Sequence, residues 1–153
     1  MFELNNIENK VSINCSVAGY QFPDNPKDDW CLLKVLVQHN GAVFEKIDPA
    51  LETQELVRMY QWFECLSKNM LPRFACLSFT EPCIGFEFLA YNKGIVRISI
   101  GLGHELKPPF ELEQLRSKSS EWNIVFELDE SDFNRILTGI DTAIKKYPTR
   151  SKM

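Results

Sequence analysis

The chain has 153 residues, 44% of them hydrophobic and 25% charged, with a net charge of −4 at neutral pH. That length suits one domain with a full core rather than two, and the composition is too apolar for a disordered chain. The acidic balance argues against direct nucleic-acid binding, which needs a concentrated basic face.

The opening "MFELNNIENK" is polar and acidic, without the basic region and apolar run of a signal peptide. No apolar stretch approaches the ~18 residues needed to span a bilayer, so a cytoplasmic protein with no membrane partner is expected. Residues 11–18, "VSINCSVA", alternate apolar and polar, the mark of a half-buried strand. "CLLKVLVQ", 31–38, is apolar on both faces apart from Lys34 and reads as a central strand. His39, Asn40 and Gly41 make a turn, and "AVFEKI", 42–47, returns as the hairpin partner.

The first helix starts near Thr53, its expected N-cap. Leu56, Met59, Tyr60, Phe63 and Leu66 form one stripe, with Trp62 beside it and Pro72 closing the segment. Strands are expected over 73–79, 83–91 and 94–102, the last two as a hairpin. Setting Phe88 opposite Ile98, Phe86 opposite Ile100 and Ile84 opposite Leu102 puts the large apolar residues on one face. That register places Arg97 opposite Leu89 and leaves Asn92, Lys93 and Gly94 as a three-residue loop with Gly94 left-handed. A polar connection follows, held extended at Pro108–Pro109. "WNIVFEL", 122–128, alternates again. The last helix runs from about Ser131 to Tyr147 on a stripe of Phe133, Ile136, Leu137, Ile140, Ile144 and Tyr147. Acidic residues sit at its start and Lys145 and Lys146 at its end, as the helix dipole favours.

Strands joined by short turns give an antiparallel sheet, and two amphipathic helices must bury their stripes on it. The expected fold is α+β: a mainly antiparallel β-sheet of about six to seven strands with two helices packed on it. One domain is expected over residues 1–150, with "TRSKM" a frayed tail and residues 151–153 outside the domain.

Five cysteines, Cys15, Cys31, Cys65, Cys76 and Cys83, include no C-x-x-C pair. Buried free thiols explain them better than a disulfide framework or a zinc site. The two histidines, His39 and His104, lie apart, without the local ligand spacing of a metal site. No G-x-S-x-G, P-loop or G-x-G-x-x-G pattern is present. No catalytic residues, metal or cofactor are therefore expected. The stretch "GYQFPDNPKDDW", 19–30, turns on Pro23 and Pro26 and carries Asp24, Asp28 and Asp29 against a single Lys27. It reads first as an acidic loop pinned by aromatic residues. With Glu45, the three aspartates are the candidate partner-binding residues, as an acidic recognition surface for a basic partner. A small-molecule-binding module, with a pocket under the "PPF" connection, is the alternative.

The order of landmarks carries a resemblance. "GYQFP" after an alternating strand, then "DDWCL", "DPALETQEL…WF", "EPCIGFEF", "PPF" and a final helix ending in "YPTR" resembles the WapI-type immunity proteins of bacterial polymorphic toxin systems, over about residues 2 to 150. Asp29 and Cys31 beside Trp30, and Phe110 after Pro-Pro, depart from the family pattern while keeping the size class. The resemblance implies a protein that binds and neutralises the C-terminal domain of a cognate toxin without catalysis. Some toxins of such systems are nucleases, basic because they bind phosphate, and an acidic inhibitor would meet them by charge complementarity.

Overall fold

A computed structural model describes residues 1–110, 112 and 122–150. Most of the polar connection after Phe110, and the tail 151–153, lie outside the described residues. The first four strands are β1 (Phe2–Asn6), β2 (Val11–Tyr20), β3 (Trp30–His39) and β4 (Ala42–Glu52). They form one antiparallel sheet in the order β1-β2-β3-β4. Helix α1 (Thr53–Ser67) leads to a second antiparallel sheet, β5 (Cys76–Leu77), β6 (Ile84–Asn92), β7 (Ile95–Leu102) and β8 (Trp122–Leu128), in chain order. Helix α2 (Glu130–Lys146) ends the fold.

The α+β architecture with antiparallel strands and two helices is as expected, but eight strands replace six to seven, and they divide between two sheets. Within each sheet, strands adjacent in the chain pair with one another, so α1 separates two complete meanders rather than interrupting one. β1 went unforeseen because its alternation is only Phe2 and Leu4 inward, too short to stand out. The strand expected over 73–79 shrinks to Cys76–Leu77 because its flanks bond elsewhere. The Phe74 carbonyl accepts the Trp62 indole N–H at 3.1 Å, and the Thr80 N–H donates to Glu55 at 2.9 Å.

In the second hairpin, Phe88 faces Ile98, Phe86 faces Ile100 and Ile84 faces Leu102, as the apolar pattern requires. A bulge after Phe88 takes up Leu89, so Arg97 faces Ala90, and Asn92 pairs with Ile95. Only Lys93 and Gly94 remain in the turn, both with positive φ (50° and 84°), as in a type I′ hairpin. Asn40 and Gly41 do the same between β3 and β4, with φ of 48° and 83°. The charge partner of Arg97 is Glu127 on β8, at 3.6 Å.

One continuous core joins both sheets and both helices. Alternate residues of β2 and β3 (Val11, Ile13, Cys15; Cys31, Leu33, Val35, Val37) point into it, as do Trp122, Ile124, Phe126 and Leu128 of β8. From α1 come Leu56, Met59, Trp62, Phe63 and Leu66; from α2, Phe133, Ile136, Ile140 and Ala143. Leu137, Ile144 and Tyr147 are half-buried at its margin. The N-cap of α1 is Glu52, one residue before the expected Thr53, and the Glu55 carboxylate accepts the Glu52 N–H at 2.9 Å. Asp129 caps α2 through a reciprocal box with Asp132, its side chain accepting the Asp132 N–H at 2.8 Å and its N–H donating back at 2.9 Å. The two helices pack against each other, and the chain leaving α2 meets the start of α1. The Thr149 hydroxyl, beyond the end of α2, lies 2.9 Å from the Thr53 hydroxyl at the start of α1.

Helix α2 meets the start of β1 at Gly139, where a Cβ would lie 1.6 Å from the Met1 carbonyl oxygen. Glycine to alanine in a helix interior ordinarily gains about 1 kcal/mol. Here the overlap with backbone outweighs that gain. Gly139→Ala is expected to lower stability by about 1–3 kcal/mol in urea unfolding, as overpacking does. A gain in stability would show that the N-terminal strand does not seat against this helix.

Candidate functional site

The loop between β2 and β3 is built on short-range bonds. The Gln21 N–H donates to the Trp30 carbonyl at 2.8 Å and closes the base. Inside it, the Asn25 N–H donates to the Phe22 carbonyl and the Asp28 N–H to the Asn25 carbonyl, each at 3.1 Å. The Asn25 side chain accepts the Lys27 N–H at 3.1 Å, and the Asp28 carboxylate accepts the Trp30 N–H at 2.9 Å. These are the turn-forming habits of Asn and Asp, and they explain why this stretch is rich in both.

The four carboxylates expected at a partner surface have different fates. Asp24 is exposed on the loop and Asp28 is half-buried. Asp29 is only 9% exposed; its carboxylate accepts the Arg150 main-chain N–H at 2.6 Å and its carbonyl accepts the Thr53 N–H at 3.0 Å. It braces the loop from within. Glu45 sits on β4 opposite Leu36, paired with Lys34 at 2.9 Å. Leu36 lies six residues along β3 from Trp30, which is about 20 Å at ~3.3 Å per residue. The structure thus brings Asp24, Asp28 and Asp29 together on one loop and leaves Glu45 elsewhere on the sheet.

Trp30, half-buried, lies between two grooves. The smaller is lined by Lys27, Asp28, Asp29, Trp30, Glu52 and Gln54. The larger brings Gln21 and Trp30 together with Asp48, Glu81, Cys83, His104 and Glu105. Burial, then the negative charges of Glu55, Asp29 and Asp28, hold the Glu52 carboxyl above its ordinary value. Cys83 donates to Asp48 at 3.8 Å, and burial together with that carboxylate pushes its thiol up to about 11. This is the opposite of an activated nucleophile. Cys15, fully buried, is pushed up to about 12. All five cysteines are free thiols, and Cys76 alone is exposed. Glu105 faces Lys46 at 3.8 Å. His104 shares the groove with three carboxylates, yet among the described residues no hydrogen bond joins it to any of them. Nor do three His, Cys, Asp or Glu side chains gather there as a metal site.

The Pro108–Pro109–Phe110 segment packs onto the core at several points. Leu106, Pro108 and Leu112 are buried, Phe110 stacks on His39 with ring centroids 5.9 Å apart, and its carbonyl accepts the Trp122 indole N–H at 3.2 Å.

Sequence reasoning missed Arg150. Its guanidinium donates from Nη1 to the Pro23 carbonyl at 2.8 Å, and from Nη2 to the Phe22 carbonyl at 3.1 Å and the Asp28 carbonyl at 2.5 Å. The guanidinium lies 3.6 Å from the centre of the Tyr20 ring. The Tyr20 hydroxyl donates to the Pro148 carbonyl at 2.6 Å, and its ring meets Tyr147 edge-on at 5.4 Å. Thr149 and Arg150, expected to fray, are docked. No periodic pattern marks such a residue, because its partners are main-chain carbonyls more than a hundred positions away. Trp30, expected to start the central strand and pack, does start β3 but stays half-buried beside the acidic loop.

No helix among the described residues is long and apolar enough to cross a membrane. A family model, that of the immunity protein WapI-like family, matches residues 3–148. No curated protein matches the chain.

Proposed function

Because the chain belongs to the immunity protein WapI-like family, we propose that it neutralises the C-terminal domain of a cognate toxin by binding it one to one, without catalysis. The observation that carries this reading is the family match across nearly the whole chain, residues 3–148. The proposed contact surface is the loop end of the first sheet. Trp30 supplies a rigid aromatic anchor of the kind that dominates interface energies. Asp24 and Asp28 on the loop, and Glu52, Asp48 and Glu81 in the adjoining grooves, surround it with negative charge. Asp29 keeps the loop in shape rather than meeting the partner, and Glu45 lies at a distance along β4. Such a surface favours a basic partner, a nuclease among the possibilities, and raises the rate of encounter more than the final affinity.

The experiment is co-expression with the C-terminal domain of the cognate toxin, read by pull-down and by growth. The wild-type chain is expected to bind and to restore growth. The double variant Asp24→Lys/Asp28→Lys is expected to associate about tenfold more slowly at low salt, with the difference shrinking as salt screens the charges. Failure of the wild type to bind or to rescue growth would remove the neutralisation reading. Equal association rates for both proteins would move the contact surface away from this loop.

A further inference from the structure

We propose that Arg150 is the positioning residue of the partner-facing loop: it clasps the 21–29 loop shut from beneath and fixes how Asp24, Asp28 and Trp30 are presented. The carbonyls of Phe22, Pro23 and Asp28 converge on one point, and three converging carbonyl dipoles repel one another unless a cation lies between them. Arg150 fills that point. Its Nη2 donates to Phe22 at one limb of the loop and to Asp28 at the other, bridging the two. Its Nη1 holds Pro23 at the tip side, 2.8 Å away. The planar fork of a guanidinium reaches several acceptors at once while its face rests on an aromatic ring, here Tyr20 at 3.6 Å. A lysine ammonium offers neither the plane nor the stacking face.

The main chain secures the clasp independently. The Arg150 N–H donates to the buried Asp29 carboxylate at 2.6 Å, the Pro148 carbonyl accepts the Tyr20 hydroxyl at 2.6 Å, and the Thr149 hydroxyl meets that of Thr53 at 2.9 Å. Three consecutive residues beyond α2 are thus each tied to the loop, to the strand that feeds it, or to the first residue of α1. An arm held at three points places the guanidinium rather than letting it wander as an exposed arginine would. Asp29 and Arg150 act as one unit: the carboxylate fixes the arm and the arm fixes the loop that carries the carboxylate.

The clasp's role in binding rests on the neutralisation reading, so its test has two separable arms. In the first, amide hydrogen exchange of the free full chain is followed for Arg150→Ala and Arg150→Lys. Both variants are expected to lose about tenfold or more of the protection of the loop amides of Gln21, Asn25 and Asp28, while the β6–β7 hairpin stays protected. Retained protection in Arg150→Ala would overturn the proposal. The unchanged hairpin shows that the variant is folded, and Arg150→Lys, which keeps charge and bulk, separates fork geometry from charge. In the second arm, the variants are titrated with the same toxin domain. A loop that must order itself on binding is expected to weaken affinity about tenfold. Lost loop protection with unchanged affinity would overturn the positioning role and leave the neutralisation reading standing. Absence of binding by the wild type would remove the neutralisation reading, and with it the loop's partner-facing role, while the exchange arm still decides whether Arg150 holds the loop.

Discussion

Glu55→Ala is expected to cost about 3–4 kcal/mol of stability, in the range for removing a buried, hydrogen-bonded charge. Glu55 is 3% exposed, the one buried glutamate among the described residues. One carboxylate oxygen accepts the Glu52 N–H at the start of α1, and the other accepts the Thr80 N–H, 25 residues on, both at 2.9 Å. Arg58, one turn further along, lies 3.9 Å from the second oxygen. Alanine would strand two main-chain donors in a partly buried place and leave Arg58 without its ion pair. It would also remove one tie on the segment between α1 and β6, leaving the Trp62–Phe74 bond and the short β5 to hold it. Glu55→Gln keeps the shape and one acceptor oxygen but turns an amide N–H toward a donor, so about half the loss is expected. Urea midpoints of the two variants check this. A loss below about 1 kcal/mol for alanine would mean that water takes over both donors at little cost.

Phe63→Ala is expected to cost about 3–5 kcal/mol, the usual range for truncating a buried phenylalanine. The ring is fully buried, 6.0 Å from Phe2, 5.1 Å from Trp62 and 5.4 Å from Phe86, centroid to centroid. Phe2 belongs to the first sheet, Phe86 to the second and Trp62 to the same helix, so Phe63 fills the junction of three elements. Its contacts with Trp62 and Phe86 are edge-on, which adds to the burial gain. A domain of this size has about 5–15 kcal/mol in total, so alanine would consume a large share. Phe63→Leu, which refills much of the volume, is expected to lose no more than about 2 kcal/mol. Equal losses in the two variants would show that the junction collapses around the smaller side chain.

How much of this was legible in the sequence depends on the range of the interaction. The β6–β7 register could be set from Phe86, Phe88, Ile98 and Ile100, because cross-strand neighbours joined by a tight turn are local in both pattern and space. The bulge at Leu89 could not, since an apolar residue at a bulge looks like any other in the alternation. The stripes of both helices were readable, but not the division of strands into two sheets, which no local period encodes. At the candidate site, Asp28 and Asp29 are adjacent and chemically alike, yet one bonds locally to the Trp30 N–H and the other is buried against the Arg150 main chain. Only the approach of the far end of the chain tells them apart. The same approach turned the expected loose tail into a clasp.

The ends of the chain are bound to each other's elements. The Asn6 side chain donates to the Val125 carbonyl of β8 across 119 positions, and the Arg150 N–H to Asp29 across 121. Met1 lies against Gly139 of α2. The first sheet therefore cannot reach its finished state until β8, α2 and the arm beyond it have been made. At about 5–20 residues per second, its opening strands wait on the order of ten seconds for the segments that complete them. Until those segments are made, the first meander is incomplete and exposes the apolar face that α2 and β8 later cover. The fold closes as a ring, and the loop end that carries Trp30 takes its final form only once the Arg150 arm has reached it.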